Sequence, residues 1–479
     1  MSETPYDATT DATTDLEGTG SGTPGVMAPG PLRTDVVVVG AGLTGVVTAQ
    51  LLADGGADVV VLDARGARAT TTARSTGKLS VLQGTRLARI AARHGDEVVR
   101  DYLAANFAGL GWLRRTLENL DVPVENRDDL TVAATPEQVA DVDAVLTTCA
   151  RQGLTAQWEE DPPYPARSYG AVRLPGQAQV DPLRMLSALR ARLRARGVPV
   201  HDGVRVHQVR RRRSGVVLRT SRGAVLADRV VLATGTPPGR LGGLFLRLEA
   251  GRSLLTTWEI TDPAALPPGF DETMSITAGS PVRSLRTAGG LLMVGGEGYT
   301  VGRERDPARR LAALEEWTRV HLPVDQPRHT WAAQDYTSDT GLPLVGPATP
   351  GDDRVLVATG YAKWGLTNGA AAGLALAGRI LGDPVEWERT FEPWARRPAP
   401  RASTAATFAV QTKGWAHAAT RPSGQRPGAP RVSRVCPHAG AVVCWNEQEQ
   451  SWDCPAHGSR FEPDGTLIEG PATEDLSRR

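Results

Sequence analysis

The first ordered stretch, RTDVVVVGAGLTGVVTAQLLADGGADVVVLDAR, changes its hydrophobic period twice. An unbroken β-branched run from Val36 to Val39 stops at Gly40 and predicts a buried strand. Apolar residues at helical spacing then carry the chain to about Ala53, and Val59 to Leu62 is a second buried run. Strand, helix and strand in that order make a β-α-β unit. Helical spacing returns in the segments that open at Asp96 and Thr135. Asp181 followed by Pro182 supplies an N-cap and first turn for a helix that runs to about Gly197. From Gly203 the pattern is that of a β-meander ending in a buried strand, Val230 to Ala233. Mixed strands and one helix fill the chain to about residue 338. Arg354 to Ala358 is a last buried strand, followed by a Gly-rich loop and a small-residue helix from Thr367 to Leu381. The segment from about residue 431 onward is short, strand-like and punctuated by Trp and Gly. No internal repeat occurs.

Two segments lack any such pattern. Residues 1–33, rich in Thr, Gly, Pro and Asp, are expected to form a disordered tail, and residues 393–430, rich in Pro, Gly, Arg and Ala, a linker. A length of 479 residues accommodates two or three domains. The formal net charge is +1, so no global field recruits nucleic acid or an anionic membrane. Nearly all basic residues are Arg; Lys78, Lys363 and Lys413 are the lysines. Four cysteines, Cys149, Cys436, Cys444 and Cys454, are too few for a disulfide scaffold and suit a reducing compartment. The N-terminus lacks a basic n-region and an apolar h-region, and no run of 18 apolar residues occurs. The expectation is a cytoplasmic, soluble protein with no membrane span.

Chemistry enters at Gly40-x-Gly42-x-x-Gly45. The motif follows a strand, opens a helix, and is succeeded by Asp63 at the end of the next strand, the arrangement of a dinucleotide site. Gly40 and Gly42 permit a tight turn and close backbone approach to a pyrophosphate, and Gly45 lets helix and sheet pack closely. Asp63 is placed to accept hydrogen bonds from a ribose.

Other segments narrow the dinucleotide. VVLATG (Val230 to Gly235) resembles the strand-turn that flavoproteins place under FAD. RVLVATGYAKWGLTNG, with its partner GLPLVGP, resembles the C-terminal flavin motif of the D-amino-acid oxidase and glycine oxidase superfamily. TTTARSTGKLSVLQG, VGGEGYTVG, HTWAAQDYTSDTGLPLVGP and GYAKWGLTNG are similar to one branch of it, in which the oxidoreductase carries a C-terminal Rieske iron–sulfur domain. On these residues the chain is identified as a member of that branch. The resemblance covers residues 34–382 and the Rieske-like WNEQEQSWDCPAHGSRF.

The resemblance implies an α/β (α+β) fold: a Rossmann-like FAD-binding domain with an interleaved antiparallel-sheet substrate domain, then a small all-β Rieske domain. The oxidoreductase would span 34–392, its FAD part about 34–80, 180–240 and 339–382, its substrate part about 81–179 and 241–338, and the Rieske domain 431–479. FAD would be held by Gly40, Gly42, Gly45, Asp63, Thr72, Ser75, Thr76, Lys78, Val206, Thr234, Gly235, Gly360, Gly365 and Thr367. Lys363, in the loop expected beside the flavin, Arg286 and Tyr336 are the candidate catalytic residues. Arg283 is a second candidate for a substrate carboxylate, and Asp335 for the lining of the site. No second G-x-G-x-x-G occurs between strand and helix, which argues against a nicotinamide site.

Cys436-x-His438 and Cys454-x-x-His457 form two short clusters of metal ligands. Zinc sites of Cys₂His₂ type pair like with like, as C-x₂₋₄-C and H-x₃₋₅-H, whereas each cluster here mixes one Cys with one His. Mixing suits a Rieske [2Fe–2S] centre, in which two Cys hold one iron and two His the other; zinc is the alternative the four residues leave open. Against the family, Ala441 and Ala456 stand where an extra Cys in each loop forms a disulfide. Ser459 is placed to donate to a bridging sulfur, while Phe461 stands where high-potential members have Tyr; fewer such bonds imply a low-to-middle potential. The chain ahead of Cys436 is also short for the family, so the Rieske domain is expected to be shortened. Gly470-Pro471-Ala472 matches the third loop that covers such clusters.

Flavin exchanges electrons in pairs and a Rieske centre singly, so their union implies a relay. The expected activity is oxidation of a small amine or amino-acid-like donor, with electrons leaving through an exposed histidine edge of the cluster to a one-electron acceptor. The alternatives are a reductase fed by NAD(P)H or a protein donor that supplies a partner oxygenase or reductive step, and a non-enzymatic redox sensor.

Overall fold

The computed structural model describes residues 32–395 and 432–478. The expected tail lies outside the described residues except for Leu32 and Arg33, which are already in strand, opposite Val225 and Leu226. Regular structure thus begins at Leu32, inside the segment expected to be disordered. The expected linker lies outside the described residues beyond position 395.

An eight-stranded sheet is built on Leu32–Val39. Val59–Asp63 and Gly223–Gly235 flank it in parallel, and parallel pairing continues outward to Val200–Asp202 and Val355–Thr359. Leu344–Pro347 adds an antiparallel edge, and the hairpin of Val206–Arg212 and Gly215–Thr220 joins the first half of Gly223–Gly235. Alternate side chains of the central strands serve two cores. Val36, Val38, Val59 and Val61 face one, with the helices Leu43–Asp54, Pro182–Ala195 and Gly365–Leu381. Val37, Val39, Val60 and Leu62 face the other, with Val216, Leu218 and Val225 of the meander. Cover on both faces is why these strands read as unbroken apolar runs. Asp181 caps its helix as the sequence predicts, accepting from the Leu183 and Arg184 N–H groups at 2.9 Å each.

A nine-stranded sheet lies beside the first. It runs from Pro327–Ser338 through Leu248–Glu259, Leu291–Thr300, Arg283–Ala288, Thr273–Thr277, Val124–Val132 and Ala171–Val180 to the short edge strand Lys78–Leu79, with Gln157–Glu159 as a ninth strand beside Ala171–Val180. Pairing is antiparallel except between Thr273–Thr277 and Val124–Val132. Lys78, expected in the FAD part, thus belongs to the nine-stranded sheet.

The C-terminal unit is a four-stranded antiparallel meander: Cys444–Asn446, Ser451–Asp453, Arg460–Phe461 and Leu467–Glu469. Its small core gathers Val432, Val443, Trp452, Phe461, Leu467 and Leu476 around Cys436 and Cys454. Ala441 and Ala456 are packed into the same core, so apolar burial takes the place of a bracing bond.

Candidate functional site

A cavity of about 330 Å³ opens where the parallel strands ending at Val39, Asp63 and Gly235 meet the nine-stranded sheet. This is the switch region where doubly wound sheets take ligands. Gly40 turns there with φ +101°, and a Cβ on it would lie 2.4 Å from the Ala233 carbonyl oxygen. A Cβ on Gly45 would lie 1.8 Å from the Gly40 oxygen, so that residue serves helix–strand packing and is not part of the wall. The helix Leu43–Asp54 starts without a side-chain N-cap, and its first turn faces the cavity, a setting that favours an anion.

Asp63 Oδ2 accepts from the Ala41 N–H at 2.8 Å, and Oδ1 from the Arg65 and Gly66 N–H groups at 2.8 and 2.7 Å. Burial pushes its carboxyl up, but these bonds outweigh burial and hold it below the ordinary value. Thr72, whose Oγ1 accepts from the Leu43 N–H at 3.1 Å, lines the cavity with Ser75, Thr76 and Lys78. Gly42, Val206, Thr234, Gly235, Gly365 and Thr367 line it too. Gly360 does not; it turns with φ +79° against Ser338. The cradle therefore fits a dinucleotide along its length, from the Gly40 turn to the start of Gly365–Leu381.

The candidate catalytic residues separate. Lys363 and Tyr336 line the cavity, as does Asp335, which accepts a hydrogen bond from the Lys363 N–H. Lys363 and Ala362 both hold positive φ, at 73° and 51°, so the loop aims this side chain inward by a conformation that L residues rarely adopt. Burial pulls the Lys363 ammonium below its ordinary value, and Asp335 opposes that; burial pushes the Asp335 carboxyl up. Arg286 is buried but does not line the cavity: its guanidinium lies behind Gly77, 3.0 Å from where a Cβ on that glycine would be. Arg283 is paired with Glu297 at 2.8 Å. Neither arginine presents itself to a substrate carboxylate.

Sequence reasoning missed Arg65, Arg74 and Arg205 on the cavity wall, and Ile468, Glu469, Gly470 and Ala472 from the C-terminal domain. Arg is too common in this chain to stand out, and no local pattern announces a contact across two domains.

The two ligand loops are built alike. In each, the Cys carbonyl accepts from the glycine four residues on, Gly440 at 2.9 Å and Gly458 at 3.0 Å. Each Cys N–H in turn donates to the carbonyl five residues on, Ala441 at 2.8 Å and Ser459 at 2.7 Å. Both glycines take positive φ, which closes the two turns. Cys436 and Cys454 are mutually hydrogen-bonded; the neighbour's thiol holds Cys436 down, to about 7, and Cys454 up. The His438 and His457 rings meet edge to face, centroids 5.0 Å apart, and both Nδ1 atoms are buried without a partner among the described residues. Burial, with His438, Arg303 and Arg240 nearby, pushes His457 down to about 3, so its imidazole is neutral as a ligand must be. Two thiols beside two orphaned imidazole nitrogens are the donor set of a Rieske cluster.

The histidine edge is not exposed, contrary to expectation. His438 and His457 retain 6% and 7% of their exposure and face the flavin-side domain. Phe245 stands edge-on to both rings at 4.7 and 4.8 Å. His438 Nε2 lies 3.0 Å from the Gly239 carbonyl, and Arg240 donates to the His438 carbonyl at 2.9 and 3.1 Å. On the second loop, Arg303 donates to the Pro455 carbonyl at 2.9 Å and Gln334 to that of Gly458 at 2.8 Å.

Residues 35–379 match the family model described as FAD dependent oxidoreductase, which covers most of the chain. The chain belongs to the FAD-dependent oxidoreductases. Residues 422–478 match the Rieske [2Fe-2S] domain, which decides between the cluster and zinc. This FAD-dependent oxidoreductase is 25% identical over 481 residues to YhfW of Bacillus subtilis, named as a Rieske 2Fe-2S iron-sulfur protein, covering 93% of each chain. A stretch of 46 residues is 41% identical to the cytochrome b6-f complex iron-sulfur subunit 1 of a Nostoc species, covering 10% of this chain and 26% of that one. Among solved structures, glycine oxidase from Geobacillus kaustophilus superposes with TM-score 0.63 at 20% identity, over 74% of this chain and 96% of that one. L-amino acid deaminase from Proteus vulgaris gives TM-score 0.62 at 13% identity, over 78% and 100%. At such identities the likeness is one of fold. The FAD-dependent oxidoreductase domain binds FAD and the Rieske domain a [2Fe–2S] cluster. No helix among the described residues is long and apolar enough to cross a membrane.

Proposed function

We propose that the protein oxidises a small amine or amino-acid-like donor at its flavin and sends the electrons through its Rieske cluster to a one-electron acceptor. Flavin, when bound, takes up a hydride and the cluster carries single electrons. The observation that carries the reading is the inward histidine edge: His438 Nε2 contacts the Gly239 carbonyl, and Gly239 adjoins Pro238 of the cavity wall.

The protein's own part is positioning. Ser253, Leu255, Ile276 and Ser284 of the nine-stranded sheet and Trp364 of the opposite loop bound the substrate end of the cavity, a small space with few charges. Lys363 is the cation that holds a donor carboxylate there. The Asp335 carboxylate, made more basic than usual by burial, would take the proton that an ammonium donor must shed before hydride loss. Gly40, Asp63 and the first turn of Leu43–Asp54 fix the dinucleotide, while Phe245 and Arg303 keep water from the cluster's histidines.

The test is anaerobic mixing with a panel of primary and secondary amines and amino acids, with NADH and NADPH as separate arms, followed by flavin bleaching. Bleaching by at least one amine supports the reading; bleaching by a nicotinamide and by no amine rejects it.

A further inference from the structure

Ile468, Glu469, Gly470 and Ala472 of the Rieske domain line the same cavity as Gly40 and Asp63. We propose that this segment is part of the FAD site: the Rieske domain walls the cavity and retains the cofactor, a role separate from electron transfer. It stands at the end marked by Asp63, Arg65 and Val206, and is seated there by contacts to the wall itself. Arg205 donates to the Leu467 and Ile468 carbonyls at 2.8 and 3.3 Å, and the Gly239 N–H to the Pro471 carbonyl at 2.7 Å. His207 Nδ1 lies 2.7 Å from the Thr473 carbonyl.

Glu469 ties the segment in by charge. Its carboxylate meets Arg65 at 3.3 Å, Arg460 of its own domain at 3.0 Å and Arg252 at 3.5 Å. Burial opposes the charge, but the three guanidiniums outweigh it and bring the carboxyl down to about 2, so Glu469 is ionised throughout the working range. Arg65 is thereby held over the cavity two residues beyond Asp63. Arg74 and Arg205 share that wall, and Arg74 Nε is buried without a partner among the described residues. An anionic diphosphate supplies what this guanidinium lacks.

Because two domains enclose one ligand, FAD binding and Rieske docking strengthen each other by the same factor. FAD should therefore leave slowly, and only when the segment 467–473 lifts.

The test uses the full chain, without donor or acceptor, so its outcome is independent of the proposed reaction. FAD release into excess competing ligand is timed for Glu469→Gln and His207→Ala, with the cluster's EPR and visible spectra as the control for an intact Rieske domain. His207 touches the segment but does not line the cavity, so its effect reports docking alone. Release should accelerate about 5-fold or more in His207→Ala and about 10-fold or more in Glu469→Gln, the losses expected for one neutral and one charged contact. If Glu469→Gln does not load its cluster, His207→Ala decides. Wild-type release from His207→Ala with an intact cluster spectrum overturns the proposal.

Discussion

His438 Nε2 lies 3.0 Å from the carbonyl oxygen of Gly239, one residue past the cavity-lining Pro238. One hydrogen bond and one residue of chain thus separate a cluster ligand from the wall of the flavin site. Both histidine rings are thus buried against the FAD-binding part of the same chain.

Docking can be loosened without replacing a ligand. Gly302 has φ +70°, and a Cβ on it would lie 2.6 Å from the Pro455 backbone nitrogen. Gly302→Ala adds about 1–2 kcal/mol of backbone strain and pushes the second cluster loop away. Stopped-flow absorbance should show flavin reduction within about 2-fold of wild type and cluster reduction slowed about 10-fold or more. Unchanged cluster reduction would mean that the docked arrangement is not the one that transfers electrons.

Ser459 accepts from the Ala472 N–H at 3.0 Å and its hydroxyl lies beside Cys436. Ser459→Ala should lower the cluster's midpoint potential by about 60 mV, the one-electron equivalent of a hydrogen bond worth about 1.4 kcal/mol. Phe461→Tyr should raise it if the added hydroxyl reaches a sulfur. A redox titration that finds Ser459→Ala at or above the wild-type potential removes Ser459 from the tuning of the cluster.

The β-α-β unit, the glycine cradle and the two ligand loops were legible because each is written in local spacing. Val36 to Val39 marks a doubly covered strand, and the mixed Cys/His pairs match two loops of one design. Arg286 was misplaced because it shares the cavity face of Arg283–Ala288 with Ser284 yet is screened by Gly77, a packing contact that no local spacing announces. The buried histidine edge and Glu469 on the cavity wall were invisible for another reason: both arise from docking between segments far apart in the chain.

Lys78 is buried, its Nζ donating to the Ser275 carbonyl at 2.7 Å. Burial pulls it from an ordinary 10.5 to about 8, with Asp129 opposing and Arg286 assisting. The unfolded chain therefore binds this proton more tightly than the folded one, and stability rises with pH between about 8 and 10.5. At ~1.36 kcal/mol for each pH unit, the gain is about 3 kcal/mol over that window. Chemical denaturation at a series of pH values should show this rise in wild type relative to Lys78→Met, and a constant difference below pH 8. A flat difference throughout would mean that Lys78 titrates normally.

Lys363 faces the cavity from a loop held in left-handed backbone, and its charge should matter only to donors that carry a carboxylate. Lys363→Met should raise KM for an amino-acid donor by about 10- to 100-fold, the worth of a charged hydrogen bond, and leave that for a simple amine nearly unchanged. Equal losses for both donor classes would assign Lys363 to the flavin in place of the substrate.

The central claim, that electrons pass from flavin to cluster within one chain, is tested most directly by anaerobic mixing with an amine donor, rapid freezing and EPR over a range of protein concentrations. The account predicts a reduced [2Fe–2S] signal that follows flavin bleaching at a rate independent of protein concentration. A cluster that stays oxidised beside fully reduced flavin, or is reduced at a rate proportional to protein concentration, would contradict it.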